Sequence, residues 1–138
     1  MLAHSGLHII PREECLRLLG GQSVGRLGFV SGDQPMILPV NYAAVNGVVA
    51  FRSGEGTKAD LPPLTKVAFE VDHLDHGART GWSVVVQGVL EDVTGDPGWF
   101  LQQLYQGAPR SWAPGAKDRF LRVIPRVVSG RRILGSEG

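Results

Sequence analysis

Short runs in which apolar and polar residues alternate cover most of this chain of 138 residues, and such alternation is typical of β-strands. Nineteen glycines and nine prolines separate the runs and indicate tight turns. Asn46-Gly47 is the strongest signal for a short hairpin. The pattern predicts a mainly β, largely antiparallel protein with six strands, over residues 23–31, 36–45, 48–53, 66–72, 81–93 and 118–128.

Three connecting segments have helical character. Residues 11–19 begin at a proline, end before two glycines and place Cys15 on an apolar stripe. Residues 57–64 begin like a helix that the following prolines cut short, and residues 96–106 form the third segment. We therefore expect short helices at the periphery of the strands.

A closed or nearly closed barrel leaves such strands without exposed edges. The length predicts a single domain over residues 1–138, with flexible tails at 1–9 and 135–138. The continuous apolar run in 81–93 predicts a strand that is buried on both faces, with a bulge or bend at Gly88. The expected architecture is a six-stranded antiparallel barrel.

A two-residue turn at Asn46-Gly47 also implies a register. It pairs Asn41 with Arg52 and Val40 with Ser53, and it turns the bulky Tyr42 toward the core. The opposite face, which carries Asn41 and Arg52, is small in the middle and polar at one end. A flat ring or a partner subunit could lie against such a face, or the face could be exposed to solvent. The register alone does not decide between these two interpretations.

Composition narrows the function classes. A net charge of +1, from 14 basic and 13 acidic residues, provides no basic stripe for nucleic acid. No window approaches the roughly 18 apolar residues of a membrane span, and the N-terminus lacks the pattern of a signal peptide. Cys15 is the single cysteine, which excludes an intrachain disulfide and a cysteine metal site. We expect a cytoplasmic protein.

A segment after the third predicted strand has phosphate-binding chemistry. Arg52-Ser53 and Thr57-Lys58 flank a glycine-bearing turn that leads into a helix start. Cationic side chains, hydroxyls and helix N-terminal N–H groups all favour a phosphate. The alternative for Ser53 and Thr57 is a turn or N-cap role, and for Arg52 and Lys58 a solvated surface.

The remaining candidates are aromatic residues and histidines. Trp82 suits either a cofactor contact or the core, and Trp112 suits a lid or a subunit contact. His73 and His76 flank Leu74-Asp75, but no third ligand at a helpful spacing indicates a metal site. No order of serine, histidine and aspartate indicates a hydrolase.

This combination of segments resembles the pyridoxamine 5′-phosphate oxidase-like superfamily of flavin-binding split β-barrels, and above all its short bacterial members. The resemblance covers roughly residues 10–134. It is carried by Val24-Gly25-Arg26-Leu27-Gly28, Leu38-Pro39-Val40-Asn41-Tyr42, Phe51-Arg52-Ser53 with Gly56-Thr57-Lys58, Val67-Ala68-Phe69-Glu70-Val71-Asp72, Gly81-Trp82-Ser83-Val84-Val85-Val86-Gln87-Gly88 and Val128-Ser129-Gly130-Arg131-Arg132.

The resemblance implies a homodimer with two flavins at the subunit interface. The isoalloxazine ring is then lined by backbone groups of one strand, the phosphate is bound by the segment after the hairpin, and a further strand start lies near the flavin. These roles fall on Pro39, Val40 and Asn41, on Arg52, Ser53, Thr57 and Lys58, and on Trp82 and Ser83. Arg131 and Arg132 either reach the partner's phosphate site or are solvated.

The resemblance thus implies an FMN-binding oxidoreductase that acts on a small redox substrate. The chain is much shorter than the true oxidase and lacks a second basic cluster for pyridoxamine phosphate, so we do not expect vitamin interconversion. One alternative is a deazaflavin-dependent reductase on the same fold. Another is a flavin or heme protein without turnover, whose axial ligands would come from His4, His8, His73 and His76.

Overall fold

The computed structural model describes residues 7–54, 61–95 and 119–135, and these residues form one helix and eight strands. All the strand pairs are antiparallel. The mainly β fold that the alternation predicted is therefore confirmed. The elements are β1 Leu7–Ile9, α1 Arg12–Leu19, β2 Val24–Ser31, β3 Gln34–Asn41, β4 Ala43–Val45, β5 Val48–Ser53, β6 Thr65–Asp75, β7 Thr80–Asp92 and β8 Arg119–Ile133.

The sheet curls into a split barrel. Its strand order is β3-β2-β6-β7-β8-β5-β4, with β1 paired to β8 beside this path. The two ends of the path, β3 and β4, are consecutive in the chain and are separated by Tyr42 alone. The Tyr42 N–H still donates to the Ser23 carbonyl at 3.1 Å, whereas Ala43 already pairs with Ala50. The chain thus changes partner at Tyr42, and this change joins the two ends of the sheet.

The predicted strands are all present, with differences in their bounds. The strand expected over 66–72 continues to Asp75, because its added residues pair with β7. The segment 36–45 divides at Tyr42 into β3 and β4, because it pairs first with β2 and then with β5. The last strand continues past 128 to Ile133, because its added residues pair with both β7 and β1. Leu7–Ile9, which we expected to be a flexible tail, is the strand that pairs there. The barrel therefore has more strands than the six expected.

The predicted first helix is confirmed as α1. Glu13 and Glu14 occupy its first turn, and Cys15 and Leu19 are buried on the face that meets the barrel. Of the helix expected over 57–64, residues 61–64 form a turn instead, since consecutive prolines cannot donate helical hydrogen bonds. Residues 57–60 and the helix expected over 96–106 lie outside the described residues.

Alternate residues of the strands fill the barrel. Tyr42 and Phe69 form an edge-to-face pair with ring centroids 4.7 Å apart, and the Tyr42 hydroxyl donates to the Leu19 carbonyl at 2.5 Å. Burial raises the Tyr42 pKa, so this phenol stays protonated. The most deeply buried side chains are Tyr42, Phe51, Phe69, Leu19, Leu27, Leu121, Val49, Val71, Val84, Val86, Val123 and Cys15.

Strand β7 confirms one expectation and corrects another. Its register against β8 shifts between Gln87 and Gly88, as the predicted bulge requires. A Cβ at Gly88 would lie 2.0 Å from the Ile124 carbonyl oxygen, which explains the glycine. Burial on both faces is wrong for the described residues, because Val84 is buried while Val85 is half-buried and Gln87 exposed. The outer face of this strand is a surface.

Candidate functional site

The candidate site begins at the split between β3 and β5. The ladder that starts at the hairpin pairs Val45 with Val48 and Ala43 with Ala50, and it ends there. The expected continuation, which paired Asn41 with Arg52 and Val40 with Ser53, is wrong, because β3 pairs with β2 instead and Val40 lies opposite Gly25. The two strands therefore separate beyond Ala43. This separation brings Pro39, Val40 and Asn41 to one side of a gap, with Arg52 and Ser53 on the other.

The backbone of β3 has a defined direction at this gap. Since the Tyr42 N–H bonds to β2, the even-numbered residues of β3 direct their N–H and C=O groups toward β2, and the odd-numbered residues direct theirs toward the gap. Pro35 and Pro39 are odd-numbered and have no N–H. The N–H groups directed toward the gap are then those of Ile37 and Asn41. This side of β3 presents more acceptors than donors.

Arg52 and Ser53 do not point the same way. Arg52 is exposed, and its guanidinium carbon lies 5.4 Å from the ring centre of Phe120, its cross-strand partner. Ser53 is buried on the opposite face, and its hydroxyl donates to the Gly54 carbonyl at 3.0 Å. Their side chains therefore do not converge on one point. Thr57 and Lys58 lie outside the described residues, so their part in the predicted phosphate site stays a prediction.

Trp82 and Ser83 likewise face opposite sides of β7. Trp82 is partly buried and packs against the barrel core, which is the alternative that the sequence left open for it. Ser83 lies on the outer face, opposite Asp72 on β6 and Arg131 on β8. Of the pair, only Ser83 presents its side chain to a ligand on the outer face. Trp112 lies outside the described residues.

Ser83 does not adjoin the split within one chain. Asn41 and Ser83 are separated by β2 and β6, and three strand spacings amount to roughly 14 Å. Arg52 is farther away still, because it pairs with Phe120 whereas Ser83 pairs with Arg131 near the other end of β8. The sequence-predicted residues thus form two separate groups, one at the split and one on the outer face of β7.

A polar cluster lies between these two groups. Arg26 on β2 contacts both carboxylates of β6 through Nη1, at 3.2 Å to Glu70 Oε1 and 3.6 Å to Asp72 Oδ2. Burial, together with a hydrogen bond to Asp72, raises the pKa of Glu70 to about 7, against the opposing effect of Arg26. At neutral pH the Glu70 carboxyl is therefore protonated in part of the molecules.

Sequence reasoning did not single out this cluster as a site. Glu70 and Asp72 lie on one strand, but their partner Arg26 is 44 positions from Glu70. The missing information was that β2 and β6 are neighbours in the sheet. A pairing of strands that are distant in sequence leaves no local signal.

The histidines do not form a site together. His8 on β1 and His73 on β6 lie in one row of the sheet, separated by Arg132 and Trp82. His76 lies in the turn after β6, and His4 is outside the described residues. In the described part of the chain, no three histidine, cysteine, aspartate or glutamate side chains are grouped to hold a metal ion. The single described helix is too short to cross a membrane.

Comparisons with known proteins agree with this architecture. A family model described as pyridoxamine 5′-phosphate oxidase matches residues 11–132. An uncharacterised protein of Mycobacterium tuberculosis is 35% identical over 131 residues, which cover 91% of this chain and 84% of that protein.

Two solved structures are similar over nearly their whole length. An FAD binding protein from Mycobacterium smegmatis is 28% identical with a TM-score of 0.67, and the match covers 92% of this chain and 98% of that one. An FAD-binding protein from Mesorhizobium loti is 28% identical with a TM-score of 0.73, covering 91% and 97%. The predicted split barrel is therefore shared with flavin-binding proteins.

Proposed function

Because this chain belongs to the pyridoxamine 5′-phosphate oxidase family, we propose that it binds a flavin in the split between β3 and β5 and uses it in a redox reaction. The separation of β3 from β5 beyond Ala43 carries this proposal. A flavin ring is flat and has hydrogen-bonding groups along one edge. The side of a β-strand is the complementary surface, since its N–H and C=O groups also lie in a line.

The residues at the split fit such a ring and its phosphate. The backbone groups of Pro39 and Asn41 are directed toward the gap, and the small Ala43 and Ala50 lie where it begins. Arg52 is exposed at the same gap, and its planar guanidinium suits a phosphate. Together these features supply both a flat surface and an anchor for the charged tail.

The flavin, when bound, supplies hydride transfer, and the chain supplies grip, orientation and exclusion of water. The N–H groups of Ile37 and Asn41 would hold the polar edge of the ring, while Arg52 would hold the phosphate together with Thr57 and Lys58. We assign no side chain as acid or base. The substrate that we propose is a small redox-active molecule.

We further propose a homodimer in which each site takes residues from both copies. Within one chain Ser83 is roughly 14 Å from Asn41, so it does not complete the site at its own split. In a two-fold dimer the Ser83 of the second copy adjoins that split. The buried Cys15, a structural thiol, is compatible with action in the reducing cytoplasm.

The spectrum of the purified protein tests the cofactor. A yellow protein that absorbs near ~450 nm contains an oxidised flavin, and mass spectrometry of the extract distinguishes FMN, which we expect from the sequence, from the FAD of the two similar structures. A colourless protein that binds added deazaflavin and neither FMN nor FAD would refute the flavin proposal and favour the deazaflavin alternative.

Variants test the anchor. Lys58→Ala and Arg52→Ala are each expected to weaken flavin binding by about 1.5–3 kcal/mol, the range for a charge-assisted hydrogen bond. Arg126→Ala, an exposed arginine at the β8 bulge, is the control and should leave affinity unchanged. If all three variants bound flavin as tightly as the parent protein, the proposal that this segment binds the phosphate would be refuted.

Mixing two defective variants tests the dimer. Arg52→Ala impairs the split of its own copy, and a bulky Ser83→Trp impairs the face that would reach the other copy. In a mixed dimer one site carries both changes and the other carries none, so re-equilibrated equal amounts recover flavin binding at about a quarter of the sites. No recovery, together with a monomeric mass in sedimentation, would contradict the shared site.

A further inference from the structure

A groove on the outer face of the sheet has no part in the split. It runs along β7 and β8 beside Ser83 and has a volume of about 260 Å³. Among the residues that the structure describes, its lining contains a guanidinium, two hydroxyls and an amide, but no carboxylate. The lining residues are Ser83, Val85, Gln87, Ser129, Gly130 and Arg131.

The strand geometry separates the two arginines at the end of β8. Arg131 pairs with Ser83 on the outer face, whereas Arg132 pairs with Trp82 on the inner face and lies 3.4 Å from Glu14. The sequence alone gave no reason to treat these two residues differently. In the structure only Arg131 is available to a ligand in the groove, and Arg132 is engaged by α1.

Arg131 has no carboxylate of its own. Across residues 7–54, 61–95 and 119–135, Arg26, Arg119 and Arg122 of the sheet each form an ion pair, and Arg131 forms none. An exposed guanidinium on the wall of a concave groove can bind an anion, and Asp72, the carboxylate beside Ser83, lies one strand farther from Arg131 than Ser83 does. The guanidinium fork matches two phosphate oxygens, and the serine hydroxyls can donate to the others.

We propose that this groove is an anion subsite that binds a phosphate group of the ligand, distinct from the phosphate held at Arg52. The proposal rests on the proposed function, because Ser83 brings the groove to the split of the second copy only in the shared-site dimer. The phosphate can come from the second phosphate of a dinucleotide flavin or from a phosphorylated substrate. The Arg131 guanidinium makes the charged contact, and Ser83 and Ser129 complete it.

Binding measurements on Arg131→Ala test the subsite, with Arg126→Ala as the matched control on the same strand. FMN and FAD are titrated by fluorescence quenching, and pyrophosphate and ADP by calorimetry on the flavin-loaded protein at one ionic strength. Arg131→Lys is a second variant that keeps the charge and loses the fork. Near-UV circular dichroism verifies that each variant is folded.

If the phosphate bound by Arg131 belongs to the cofactor, FAD affinity is expected to fall about ten- to a hundredfold in Arg131→Ala while FMN affinity is unchanged. If the phosphate belongs to a substrate, both flavins are expected to bind Arg131→Ala as they bind the parent, and the binding of pyrophosphate and ADP is expected to be lost. In either case Arg131→Lys shows a smaller loss and Arg126→Ala none.

Three results overturn the subsite. The first is an unchanged affinity of Arg131→Ala for all four probes, and the second is an equal loss of affinity in Arg131→Ala and Arg126→Ala. The third is an equal loss of FMN and FAD affinity in Arg131→Ala, which would make Arg131 part of the first phosphate site. If the parent protein binds no flavin, the proposed function fails. Pyrophosphate and ADP titrated into the flavin-free protein then still decide whether Arg131 binds an anion.

Discussion

Replacing Glu70 by glutamine is expected to change how the stability of this protein depends on pH. The pKa of Glu70 is about 7 in the folded protein against a reference value of 4.5. Between these two values the folded state binds more protons at this site than the unfolded state, so the free energy of unfolding falls as the pH rises. The contribution is fully present below about pH 4.5 and is lost as the pH rises through about 7.

The magnitude follows from the shift and from exposure. A shift from 4.5 to about 7 corresponds to at most about 3.4 kcal/mol. The Glu70 side chain keeps 31% of its exposure, so solvent screening reduces the effect to about 1–2 kcal/mol. A glutamine amide at this position cannot ionise and can still donate a hydrogen bond to Asp72. Glu70→Gln is therefore expected to match the parent near pH 4 and to exceed its stability by about 1–2 kcal/mol at pH 8.

Urea denaturation of both proteins at several values between pH 4 and pH 8 measures this difference. The subtraction cancels the contributions of all groups that the two proteins have in common. Glu91→Gln, which removes the partner of Arg122, is the control and should not produce the same dependence on pH. A parent and a Glu70→Gln variant whose stabilities change in parallel with pH would refute the raised pKa of Glu70.

Two further changes test the barrel by urea denaturation. Tyr42→Phe leaves the buried Leu19 carbonyl without its 2.5 Å hydrogen bond and should lower the free energy of unfolding by about 1–3 kcal/mol; an unaltered midpoint would contradict this role. Gly88→Ala places a Cβ 2.0 Å from the Ile124 carbonyl oxygen and should cost about 2–3 kcal/mol. Gly95→Ala, whose added Cβ meets no described atom within 4 Å, is the control, and equal stabilities of the two variants would contradict the bulge argument.

The sequence was informative where structure is local. Asn46 and Gly47 both adopt positive φ, of 53° and 84°, and the pairing of Val45 with Val48 follows from the turn they form. The alternation of residues along 66–72 likewise puts Phe69 and Glu70 on opposite faces, and in β6 Phe69 is buried whereas Glu70 is partly exposed. Such features depend on neighbouring residues, whose types are visible in the chain.

The parts that the sequence could not supply depend on distant partners. The hairpin register extrapolated to Asn41 and Arg52 failed because β2 competes for β3, and nothing near Tyr42 in the sequence indicates that exchange. The strand Leu7–Ile9 exists because β8 offers it an edge more than 120 residues later. For the candidate site, the residue types were predicted, but their division between the split and the outer face of β7 required the sheet order.

The prolines of β3 have a consequence for how the protein behaves in a crowded cell. In the described residues β3 ends the sheet path on the side of the split, and such a strand border is one to which a foreign peptide could attach and seed aggregation. Pro35 and Pro39 interrupt the donors along that border, so an invading strand finds hydrogen-bond partners only at intervals. A small molecule that needs one or two such contacts is not hindered. The rings of Pro35 and Pro39 thus hinder other chains from pairing with β3 and leave the split open to the proposed ligand.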